Sequence, residues 1–123
     1  RFTNQLVRIG NRGGEVLGNV SSFFPTPDGP AHLGYTVTHC GANCGQTDIV
    51  ILAVVGGAIS VVLRTSGDRA SYEWDGANLR VIAPFYGRLD ARCCPSATKA
   101  DVYRWSGSAY GYVNTLLLAT FKP

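Results

Sequence analysis

Asp48-Ile49-Val50-Ile51-Leu52-Ala53-Val54-Val55-Gly56-Gly57-Ala58-Ile59-Ser60-Val61-Val62-Leu63-Arg64 decides the fold class of this chain. Two runs rich in β-branched residues flank Gly56-Gly57, a dipeptide that accepts the positive φ angles of a two-residue hairpin turn. In the second run Ile59, Val61 and Leu63 alternate with Ser60 and Arg64, the period of a half-buried strand. The uncharged stretch 49–63 is shorter than the ~20 residues a membrane helix needs, and two glycines interrupt it. A buried β-hairpin is therefore expected here, and no membrane span.

Outward from this hairpin the pattern repeats. Residues 35–39 read as a strand before it, and Ser66-Gly67-Asp68 reads as a turn after it. Residues 70–74 and 78–83 pair around Asp75-Gly76. Residues 101–105 lead into a Ser106-Gly107-Ser108 turn, then 109–113, with 115–121 as a final strand. Upstream, 2–9 and 15–20 read as short strands joined by the glycine-rich turn 10–14. Pro25, Pro27 and Pro30 then stiffen a connector, because proline cannot donate to a strand ladder and restricts its neighbour. No window carries a capped helical pattern. The expectation is an all-β, small antiparallel β-meander or sandwich-like domain: an N-terminal strand arm over 1–24, a proline-rich connector over 25–34 and the meander over 35–123.

Tyr72-Glu73-Trp74-Asp75-Gly76 recurs as Tyr103-Arg104-Trp105-Ser106-Gly107. The pattern places Tyr and Trp on one strand face ahead of a glycine turn. Two copies cannot close a propeller, so two similar hairpins in one sheet are expected, with both tryptophans mainly buried.

Composition agrees. The 123 residues and 13.1 kDa fit one domain with a sizeable core. Hydrophobic residues are 46%, too many for wholesale disorder, and charged residues are 15%, below the ~25% of typical soluble domains. Lys and Glu are scarce, which weighs against helices. The net charge is +3, and the arginines are scattered rather than gathered into a basic face. A nucleic-acid partner is therefore not expected.

The four cysteines stand in two tight pairs, Cys40/Cys44 and Cys93/Cys94. An even set suggests an oxidising compartment and a disulfide-stapled domain. Pairing within each couple would close a strained vicinal bridge at Cys93–Cys94, so at least one bridge from 40/44 to 93/94 is favoured; which cysteine meets which stays open. His39 with the cysteines does not match the common zinc spacings.

Chemistry is sparse. Disulfide-bonded cysteines offer no thiolate to His39, and no nucleophile elbow, calcium loop, P-loop or dinucleotide fingerprint is present, so no catalytic residue, metal or cofactor is expected. The carboxylates fall mostly at turns and strand ends, where Asp serves the backbone. Asn19-Val20-Ser21 is a glycosylation sequon, which marks Asn19 as a possible modification site.

Asp90-Ala91-Arg92-Cys93-Cys94-Pro95-Ser96, followed by Val102-Tyr103-Arg104-Trp105-Ser106-Gly107-Ser108, resembles a C-terminal segment of bacterial secreted proteins and lipoproteins of the LppP/LprE type. The resemblance covers about 20 residues. It implies an envelope or extracellular location and a small β-rich domain, and no functional residue carries over. A lipoprotein would begin at a lipidated cysteine, whereas residue 1 is Arg.

The functional expectation is a secreted, extracellular or cell-surface structural subunit without enzymatic activity, a homo-oligomer or homopolymer. Phe2, Leu6, Ile9, Val16, Leu17 and Val20 are its candidate assembly arm, able to add a strand to a neighbouring copy and so form a filament. A monomeric ligand- or protein-binding module is the alternative, and an extracellular hydrolase the second.

Overall fold

The computed structural model describes residues 15–39, 45–86 and 97–120. These form eight strands: β1 (Glu15–Phe23), β2 (His32–His39), β3 (Gln46–Val55), β4 (Ala58–Asp68), β5 (Ser71–Asp75), β6 (Asn78–Phe85), β7 (Ala97–Trp105) and β8 (Tyr110–Thr120). They make two antiparallel meanders, β1-β2-β3-β4 and β5-β6-β7-β8. The all-β expectation holds.

The Gly56-Gly57 hairpin joins β3 to β4, with both glycines at positive φ (59° and 81°). Strand β3 is buried on both faces, which is why its apolar run is nearly continuous. Ile49 and Ile51 point to the second sheet and join Ala70, Leu79, Val81 and Tyr110 in the central core. Val50 and Leu52 point the other way and join Leu33, Tyr35 and Val37 in a second buried cluster on the outer face of the first sheet. Polar and aromatic contacts fasten the two sheets. Phe23 stacks on Trp74 at 5.0 Å, and the Ser21 and Tyr72 hydroxyls are hydrogen-bonded at 2.8 Å.

The repeated Tyr-x-Trp-x-Gly motif lies on β5 and β7, the two neighbours of β6, and opens the hairpins β5-β6 and β7-β8. Leu79 faces Trp74 on one flank and Tyr103 on the other. Gly76 and Gly107 both sit at positive φ. Both tryptophans are half-buried and pack against the central core.

Three local expectations are corrected. Ser66-Gly67-Asp68 is strand, not turn, because β3 starts at Gln46 and its first three residues pair with Asp68, Gly67 and Ser66. The chain leaves the first sheet one residue later, at Arg69, whose φ is +52°. The meander from residue 35 onward is two sheets rather than one, since this corner hands the chain to the second layer. Finally, 109–113 and 115–121 are not two separate strands. β8 runs unbroken from Tyr110 to Thr120 and absorbs extra residues at Val113 and Leu118 as bulges against β7.

Of the expected arm, residues 15–23 are strand β1, hydrogen-bonded to β2 of the same chain. Phe2, Leu6 and Ile9 lie outside the described residues, as do Cys40, Cys44, Cys93 and Cys94 and the bridges expected between them.

Candidate functional site

Two surfaces stand out, one on each sheet layer. The first is β8. Among the described residues it is the last strand of its sheet, and every residue from 111 to 118 is exposed. Tyr112, Val113, Leu116, Leu117 and Leu118 lie open, Leu117 at 61%. The strand contains no charge and no proline. It is nonetheless held in place: Tyr112 and Thr115 hydroxyls meet at 2.6 Å, and Thr115 donates to Asp101 on β7 at 2.6 Å.

Sheet edges are templates for pairing with another chain, and proteins usually blunt them with charges, bulges or short length. The other three edges follow this rule. β1 is broken by a bulge between Gly18 and Ser21, with Asn19 at a φ of 48°. β4 carries Arg64 and Asp68, and β5 is five residues long with Glu73 and Asp75. On β8 the bulges at Val113 and Leu118 bound a regular stretch, 114–117, and each bulge adds another apolar side chain to the surface.

The second surface is a half-open groove of about 340 Å³ on the outer face of the first sheet. Strand alternation builds it. Tyr35 and Val37 from β2 and Val50 and Leu52 from β3 form the floor, with Ile59 and Val61 of β4 as one wall. At its polar end His39 donates through Nε2 to Asp48 at 2.9 Å, and its Nδ1 lies 3.8 Å from Glu15. The hydrogen bond to Asp48 and the charges of Asp48 and Glu15 raise the His39 pKa above its ordinary 6.5.

The other histidine is set oppositely. His32 is 1% exposed, packed edge-on against Trp105 at 4.4 Å, with Nδ1 2.7 Å from the Tyr110 hydroxyl. Burial lowers the His32 pKa and raises that of Tyr110, so a neutral imidazole and a protonated hydroxyl share this hydrogen bond. No substrate can reach this pair; it tethers β2 to β8 across the core.

With only two histidines in the chain, proton NMR resolves both. His39 is expected to titrate above pH 6.5 and His32 below it. The linked stability signs differ. A raised folded pKa makes the His39 contribution complete below pH 6.5 and lost as pH climbs through the folded value. The depressed His32 value makes its contribution complete above pH 6.5 and lost on acidification. His39→Gln should delete only the upper transition; deletion of the lower one would reverse this assignment.

Among the sequence-selected residues, Leu17 packs onto the outer cluster beside the groove, while Val16 and Val20 are about half exposed. Asn19 is exposed in the β1 bulge, where its carbonyl accepts the Tyr72 hydroxyl. Sequence reading did not select Glu15, Asp48 and Arg64 as a group with His39, nor the Leu116-Leu117-Leu118 run. The uncharged run from 105 to 121 was the available signal for the second.

The chain matches no protein-family model, no curated protein and no solved structure.

Proposed function

We propose that the chain is a secreted, non-enzymatic structural subunit that associates with copies of itself along β8. One observation carries this reading: an edge strand with five exposed large apolar residues and no charge. Added to a strand of a second copy, it gains main-chain hydrogen bonds and covers apolar side chains on both faces of the seam. A β8–β8 seam is two-fold and closes as a dimer. A seam between β8 and the arm of the next copy (Phe2, Leu6 and Ile9) is head-to-tail and grows into a filament. The even cysteine set supports the secreted setting.

Light scattering with size-exclusion chromatography tests it. The native chain is expected to be a dimer or larger. Leu117→Lys, on an exposed side chain, should return it to monomer while changing stability by no more than about 0.5 kcal/mol. Deleting residues 1–14 should leave the assembly intact if β8 pairs with β8 and dissolve it if the arm is the donor. A native monomer, or an oligomer unmoved by Leu117→Lys, would overturn the reading.

A further inference from the structure

The groove on the first sheet is the other surface whose composition asks for an occupant, and it is independent of β8. Its volume lies at the lower end of the ~300–1,000 Å³ range of small-molecule sites, and it has their usual make-up, an apolar body with a few convergent polar groups. The polar end is only partly self-satisfied. His39 lies between Glu15 and Asp48 and hydrogen-bonds Asp48, so these carboxylates already face a donor of their own. Arg64 differs. It sits across from Val50 on β4, exposed, with no hydrogen bond or ion pair among the described residues.

A guanidinium presents a planar fork of donors that fits a carboxylate in two parallel bonds. From Arg64 the same wall continues to Val61, which is 52% exposed, and Ile59. That path is roughly 16 Å at ~3.3 Å per residue, long enough for a medium-length hydrocarbon body.

We propose that this groove binds a small amphipathic carboxylate, its carboxylate on Arg64 and its hydrocarbon body along Val61, Ile59 and Leu52. The occupant is monoanionic rather than polyanionic, because Glu15 and Asp48 border the same end and would repel further negative charge. A cationic amphiphile is disfavoured because its head would meet Arg64 and a His39 already held by both acids.

Isothermal titration with decanoate, decan-1-ol and decylammonium, each below its micelle-forming concentration, decides the matter. Decanoate is expected to bind saturably, one per chain, and about tenfold tighter than decanol, the difference a charge-assisted hydrogen bond makes. Arg64→Gln should erase that preference and leave decanol unchanged. Val61→Trp, which fills the groove from an exposed position, should weaken both ligands. Circular dichroism confirms that each variant is folded. Non-saturable uptake, equal decanoate affinity in Arg64→Gln, or binding lost in Leu117→Lys instead (which would place the ligand on β8) overturns the proposal.

Discussion

Replacing Leu79 with alanine is expected to lower the unfolding free energy by about 3 kcal/mol, within the ~2–5 kcal/mol range for fully buried leucines. Leu79 is 0% exposed and stands where the two halves of the second sheet meet, with Trp74 across one strand pair and Tyr103 across the other. It also belongs to the cluster that includes Ile49 and Ile51 of the first sheet. Large rings on either side cannot collapse into the space a leucine leaves, so a cavity term adds to the lost transfer energy. In a domain of this size the loss should lower the melting temperature by about 10 °C. Urea unfolding of Leu79→Ala beside Val16→Ala checks it, since the exposed Val16 should cost no more than about 0.5 kcal/mol. Equal effects at the two positions would mean that the sheets do not pack on this face.

Gly34→Ala is expected to destabilise by about 1–3 kcal/mol although it looks conservative. The backbone of Gly34 is not in the left-handed region, so alanine can adopt it. On conformational entropy alone the change would stabilise by roughly 0.4–1 kcal/mol. Packing decides the sign the other way. An added Cβ would stand 2.7 Å from the Cε2, Cζ and Oη atoms of Tyr72. That ring cannot swing aside freely, because its hydroxyl is bonded to Ser21 and to the Asn19 carbonyl and its edge packs near Trp74. Burial has already raised the Tyr72 pKa, so displacing the hydroxyl from its partners costs more than at a wet surface. A double-mutant cycle with Tyr72→Leu provides the check. The penalty at residue 34 should largely vanish once the ring is gone, with a coupling of about 1 kcal/mol or more. Additive effects would show that Gly34 is required for some other reason.

Both predictions depend on the layer-to-layer contact, whereas the β8 and groove proposals depend on what the layers leave uncovered. The two kinds of surface arise from one constraint. An antiparallel sheet has two faces, and the central core satisfies one face of each sheet. The first sheet then carries a second apolar cluster on its other face, centred on Tyr35, Val37, Val50 and Leu52. The second sheet ends in β8, whose residues 111–118 are exposed.

Local sequence determined the strand character of the chain and the tight turns that rest on positive-φ glycines. The 48–64 hairpin, the two Tyr-x-Trp-x-Gly hairpins and the lack of helical periodicity were legible because strand alternation and positive-φ glycines are properties of a few neighbouring residues. Tertiary structure decided the rest. Nothing near Arg69 announces that the chain changes sheets there; that corner exists because β3 needs partners as far as Asp68 and the next hairpin packs back across the core. Residues 109–120 look like two strands until β7 supplies a single ladder that tolerates bulges at Val113 and Leu118. Glu15, His39, Asp48 and Arg64 come from four different strands. They meet only because the register of each pair places their side chains on the same face, a long-range condition that no local pattern encodes.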